Sequence, residues 1–148
     1  MSMKETLALD WKNALKAKEK LKATTISMVR AAILQVEKSG SATLNDEDII
    51  VILAKEIKQR RESIVEFEKG NRQDLIDKTS EEIEILLNYL PQQLNENEIL
   101  VYVKDAAVEV GANSIKDMGK LMSAVIAKTK GRADGKIVSK LVKEYLSK

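Results

Sequence analysis

Apolar residues along this chain recur at three- and four-residue spacings almost from end to end. No stretch alternates with a strand's period between turn residues. Leu7, Trp11, Ala14 and Leu15 fall on one face of a first helix, about residues 3–19. Ile26, Val29, Ile33 and Val36 form the seam of a second, about 23–38, closed by Ser39-Gly40-Ser41. Gly40 is expected in the left-handed position that glycine takes cheaply after a helix. Asn45 reads as the N-cap of a third helix, with Asp46, Glu47 and Asp48 complementing its dipole. Ile49, Ile50, Leu53, Ile57 and Ile64 run down it. The β-branched run Ile49-Ile50-Val51-Ile52 has strand character, but the helical spacing from Ala54 to Lys69 outweighs it. Gly70 stops that helix, and Asn71 is expected to cap a fourth that buries Ile76, Thr79, Ile83, Leu86, Leu87 and Leu90.

Pro91, the only proline, drives the residue before it out of the helical region and marks a boundary at about 91–94. Asn95 with Glu98 reads as a capping pair opening a helix over about 96–110, closed by Gly111. A further helix is expected to start at Ser114 with Asp117 as its capping partner. It buries Ile115, Met118, Leu121, Met122, Val125 and Ile126, and ends at Gly131. Asp134 caps the last helix, which buries Ile137, Val138, Leu141, Val142 and Tyr145. The pattern predicts an all-α fold. Residues 1–93 form a four-helix N-terminal domain, and residues 94–148 form a C-terminal three-helix bundle.

Composition narrows the chemistry. The chain has neither cysteine nor histidine. Thiolate nucleophiles, disulfides, Ser-His-Asp triads and histidine-based metal sites are therefore excluded. Aromatic residues are 3% of the chain, too few for platforms that stack single-stranded bases. No catalytic residue, metal ligand or cofactor site emerges. The longest apolar run, Ile49 to Ala54, is far too short to cross a bilayer, so no membrane partner is expected. The N-terminus runs straight into a charged amphipathic pattern and does not read as a signal peptide, so a cytoplasmic address is expected.

The net charge of +2 conceals segregation. Residues 1–38 carry eight Lys/Arg against four Asp/Glu, residues 39–112 eight against sixteen, and residues 113–148 nine against three. Local patches rather than totals steer charged partners. In the basic last third, Lys136, Lys140 and Lys143 share one helical stripe, and Lys116 and Lys120 form an i, i+4 pair. Lys128, Lys130 and Arg132 cluster at the turn between. Backbone N–H groups at the start of the last helix add a second attraction for phosphate oxygens. The plainer alternative is a solvated face whose lysines complement a helix C-terminus.

Four other features read as structural. Lys12, Lys16, Lys18, Lys20 and Lys22 solubilise a helix end. Lys58-Gln-Arg-Arg61 faces Glu62, Glu66 and Glu68 as an ion-paired surface. Glu81, Glu82 and Glu84 open a helix and complement its dipole. Gly119 permits close approach to an apolar-periodic helix, by another helix or by a ligand backbone.

Six segments carry a resemblance: Glu56-Ile-Lys-Gln-Arg-Arg-Glu-Ser63, Glu66-Phe-Glu-Lys-Gly70, Tyr89-Leu-Pro-Gln-Gln-Leu94, Met118-Gly-Lys-Leu-Met122, Lys130-Gly-Arg-Ala-Asp-Gly-Lys136 and Val138-Ser-Lys-Leu-Val142. Together they resemble the GatB/YqeY family over essentially the whole chain, and after Pro91 the tail of the B subunit of tRNA-dependent amidotransferases. The resemblance implies an all-helical fold in two parts. It also implies that Met118-Gly119-Lys120, Lys128 to Gly131 and Lys136 to Val142 contact RNA. In the amidotransferase, glutamine supplies ammonia and a separate ATP- and magnesium-dependent domain activates the misacylated tRNA. A label of carbon–nitrogen ligase with glutamine as amide donor belongs to that machinery and is not assigned to these residues. The resulting expectation is a non-catalytic accessory protein for tRNA or another structured RNA. The alternatives are a module that docks a translation or amidotransferase protein, and a trans-acting component of the ligase.

Overall fold

Local capping chemistry sets where several of the helices begin and end. The computed structural model describes residues 1–40 and 42–148; Ser41, expected at a helix end, lies outside the described residues. Among the described residues the helices are α1 (Met3–Lys16), α2 (Lys20–Gly40), α3 (Asp46–Lys69), α4 (Gln73–Leu87), α5 (Glu96–Val110), α6 (Met118–Lys128) and α7 (Gly135–Leu146), with no strand. A 3₁₀ turn, Ile115–Asp117, leads into α6. None of these helices is long and apolar enough to cross a membrane. The all-α class is as expected.

The reciprocal caps were legible. Asn45 accepts from the N–H of Asp48 at 2.9 Å, and Asp48 accepts from the N–H of Asn45 at 3.2 Å. Asn95 and Glu98 repeat the arrangement at 2.8 and 3.0 Å. Each pair satisfies two N–H groups that a helix start leaves without partners. Gly111 closes α5 as expected, and does so in the left-handed region at φ +69°.

Several helix ends differ from expectation. Gly40 is the last residue of α2 and does not take a left-handed backbone. α1 stops at Lys16 because Lys18 adopts φ +61°, with Lys18 N–H donating to Leu15 O and Glu19 N–H to Ala14 O. Asn71 does not cap α4. It sits at φ +55° and ends α3, with Asn71 N–H donating to Glu68 O and Arg72 N–H to Phe67 O. These crossed bonds are the Schellman arrangement, whose left-handed residue is usually glycine or asparagine. In α1 a lysine occupies it. At Ser114 the chain makes a 3₁₀ turn before α6 begins, while the Asp117 carboxylate accepts from Asn113 and Ser114 N–H.

The chain divides into two compact units, Met1–Leu90 and Pro91–Lys148. In the first, α1 packs on α2, α3 on α4, and α2 bridges to both α3 and α4. Leu7, Ile26, Val29, Ile49, Leu53 and Leu86 form its fully buried centre. In the second, α5, α6 and α7 pack mutually around Ile99, Val103, Leu121, Val125, Val138 and Val142. Four residues expected inside are instead about half exposed: Leu15, Val36, Ile115 and Ile126. Each lies at the edge of its helix's apolar stripe, where neighbouring helices decide what is covered.

Candidate nucleic-acid interface

The last helix of the second unit carries its lysines opposite its core side. Val138, Leu141, Val142 and Leu146 are buried, while Lys136, Lys140 and Lys143 are exposed along one stripe. A 3.6-residue period brings positions 136, 140 and 143 together and turns them away from 138, 142 and 146. Lys116 in the 3₁₀ turn and Lys120 on α6 are exposed, as is Lys130 in the turn before α7. Among the described residues, Lys116, Lys120, Lys130, Lys136 and Lys143 make no ion pair.

The other three cations singled out in this unit are engaged. Lys128 Nζ pairs with Glu109 Oε1 of α5. Lys140 Nζ lies 3.4 Å from Glu96 Oε1, with both side chains more than half exposed. Such an open pair is weak and exchanges readily with other anions. Arg132 is half-buried and donates from Nε to the Gln92 carbonyl at 3.3 Å.

Arg132 belongs to a seam between two of the distinctive segments. Leu94 N–H donates to Arg132 O at 2.8 Å, and Gln93 Nε2 donates to Gly131 O at 2.8 Å. Gly131 holds φ +75° there. The Pro-Gln-Gln-Leu and Lys-Gly-Arg-Ala segments therefore bind each other, and Arg132 positions the turn that displays Lys130. Sequence spacing gave no sign of this pairing across about forty residues. Backbone N–H groups at the start of α7 are less open to phosphate than expected. Asp134 accepts from Lys136 N–H at 3.2 Å, so a carboxylate already occupies that end.

Gly119 is exposed, and a Cβ added there would meet nothing within 4 Å. No helix of its unit uses the gap. The readings made for the acidic middle also change. Glu82 does not open a helix; it lies inside α4 and pairs with Arg60 Nε at 3.4 Å. Arg60, only 7% exposed, also binds Glu56 Oε1 at 3.1 Å, whereas Lys58 and Glu62 make no pair among the described residues. Among the described residues, no group of three or more carboxylates could hold a metal ion.

A family model described as Yqey-like protein matches residues 4–146. A relative from Pyrenophora tritici-repentis, named altered inheritance of mitochondria protein 41, mitochondrial, is 33% identical over 145 residues, covering 95% of this chain and 78% of its own. A protein of the same name from Lachancea thermotolerans is 33% identical over 150 residues, covering 96% of this chain and 80% of its own. A third, from Kluyveromyces lactis, is 42% identical over 84 residues, covering 56% of this chain and 45% of its own. These names overturn the expected cytoplasmic address: the relatives are named as mitochondrial proteins, and the way this chain begins decides nothing about its destination. With a family match spanning nearly all its residues, the chain belongs to the Yqey-like protein family.

Proposed function

We propose that this protein binds structured RNA, tRNA in the first instance, through the outer face of its C-terminal unit, as an accessory rather than as the source of chemistry. The observation that carries this reading is the exposed stripe of Lys136, Lys140 and Lys143 on α7; Lys116, Lys120 and Lys130, exposed and without an ion pair among the described residues, add positive charge to the same unit. Ammonium groups on a rigid helix contact phosphates along a folded RNA and read shape rather than base sequence. Scarce aromatic residues fit a double-helical surface better than an unpaired strand. The resemblance of the segments after Pro91 to an amidotransferase tail supports tRNA over other structured RNAs.

The test is titration of the full chain with labelled tRNA from low to physiological salt. About four phosphate contacts give a slope of about −3 to −4 in log K against log salt. Lys136→Glu with Lys140→Glu reduces that slope by about two and weakens binding to every structured RNA alike. Absence of binding at low salt, or an unchanged salt curve in the double variant, refutes the reading.

A further inference from the structure

The buried charges of the first unit lead to a sulfur atom on its surface, and the RNA reading makes no use of it. Arg60 of α3 holds a guanidinium with five N–H donors on a buried side chain. Nη1 donates to Glu56 O and to Glu56 Oε1, both at 3.1 Å. Nε lies 3.4 Å from Glu82 Oε1 and makes no hydrogen bond. Nη2 meets the thioether sulfur of Met28, on α2, at 3.7 Å. A thioether is a weak acceptor. A buried donor without a good acceptor costs stability. Arg60 is therefore short of acceptor strength where it reaches Met28.

Met28 is also open to solvent. It is 48% exposed and lines an open cleft of about 330 Å³ with Trp11, Leu15 and Ser27, wide enough for a small oxidant. The chain has no cysteine, so its thioethers are its oxidisable sulfurs. Of the five methionines, Met1 is exposed and lies ahead of α1, while Met3, Met118 and Met122 are half-buried against the two cores. Among the described residues, Met28 is the methionine that joins solvent to a buried cation.

We infer that Met28 is a site of reversible oxidation by hydrogen peroxide, and that its sulfoxide oxygen accepts from Arg60 and fastens α2 to α3. A sulfur lone pair attacks one peroxide oxygen; an S–O bond forms and the O–O bond breaks. The proton on the attacked oxygen passes to the departing hydroxide, which leaves as water. Sulfur is oxidised by two electrons and the peroxide is reduced by two. A methionine sulfoxide reductase reverses the step, taking two thiols to a disulfide and releasing the oxygen as water. Those thiols come from outside, since the chain has none. The 3.7 Å separation exceeds an N–H···O contact of about 2.9 Å, so an oxygen on the sulfur reaches Nη2 without parting the helices. A charge-assisted bond to a polarised oxygen then replaces a weak one to sulfur. Methionine oxidation ordinarily loosens packing; at Met28 its sign is reversed.

The test treats the full-length protein with dilute hydrogen peroxide and reads each methionine by peptide mass spectrometry. Met28 is expected to gain one oxygen well before Met3, Met118 and Met122, and a sulfoxide reductase with dithiothreitol removes it. Urea unfolding is followed by the fluorescence of Trp11, the single tryptophan, which lies in the same unit. Oxidation raises the midpoint by about 0.5 M and shifts the Arg60 Nε–H resonance. Met28→Leu, at a half-exposed position, loses both responses and so subtracts oxidation at the other methionines. Met28→Gln sets an amide oxygen beside the sulfur's position and raises the midpoint without peroxide. Oxidation of Met28 no faster than that of the three half-buried methionines overturns the proposal. So does an oxidised midpoint that stays or falls relative to Met28→Leu, or an unmoved Arg60 resonance.

Discussion

In Met1–Leu90 a guanidinium sits within the helix packing. In Pro91–Lys148 the singled-out lysines stand on the outside. Arg60 of α3 reaches Glu56 on its own helix, Glu82 on α4 and the Met28 sulfur on α2, the last at 3.7 Å. Its Nε faces Glu82 at an ion-pair distance but in an orientation that makes no hydrogen bond. Tyr89, following α4, donates to Asp10 of α1 at 2.5 Å. The buried residues of the second unit are aliphatic apart from Thr129, whose hydroxyl donates to Val125 O of its own helix. The difference separates two uses of charge. A buried ion must keep its partners, so it ties α2, α3 and α4 to one register. A solvated cation has no such obligation and stays available to a ligand.

The largest expected effect breaks the inward network. Arg60→Ala leaves the largely covered Glu56 and Glu82 carboxylates without the guanidinium that pairs both, and costs about 3–5 kcal/mol by urea unfolding. Arg60→Met with Glu56→Gln and Glu82→Gln recovers most of that loss, because no covered carboxylate is left without its counter-ion. A mild Arg60→Ala phenotype removes the contrast between the units.

Tyr89→Phe comes next, at about 1–2 kcal/mol near neutral pH, since a hydrogen bond to a carboxylate is lost. Its pH dependence is more telling. Burial, and then the neighbouring Asp10, push the Tyr89 phenol above its ordinary range. The folded protein therefore holds a proton that the unfolded chain has released once pH passes about 10. This contribution is complete below that pH and is lost as pH rises further. The urea midpoint of the wild type should fall more steeply with alkaline pH than that of Tyr89→Phe; parallel curves exclude the coupling.

Lys18→Gly is expected to stabilise the first unit by about 0.5–1 kcal/mol, because glycine takes φ +61° without a Cβ penalty. Thermal unfolding reads this as a higher midpoint. Lys136→Ala and Lys140→Ala should change stability by no more than about 0.5 kcal/mol while weakening RNA binding. A larger loss of stability makes these lysines structural and the outward side of the comparison fails.

The same contrast separates what was legible from what was not. The Asn45/Asp48 and Asn95/Glu98 caps were legible because donor and acceptor lie three residues apart, within one turn. Gly111 was legible because only backbone geometry was at stake. The ends at Lys18 and Asn71 were not, since neither residue announces a left-handed backbone as glycine does. Arg60 and Glu82 were assigned to solvated or capping roles because charged residues are rarely buried, and their pairing spans separate helices. On α7 the lysine stripe followed from helical period alone, but the engagement of Lys128, Lys140 and Arg132 did not.

What the chain's order of residues determined by itself is the helical character, most of the helix starts and the two aliphatic stripes around which the units pack. These depend on interactions within a few residues and on periodicity, which are properties of the string. Tertiary structure alone decided which charges are enclosed, which cations are already paired and which apolar edges, such as Leu15 and Leu34, stay uncovered. Those outcomes depend on which helix lies beside which, and burial changes the energetic meaning of a charge or a methyl group without changing its letter.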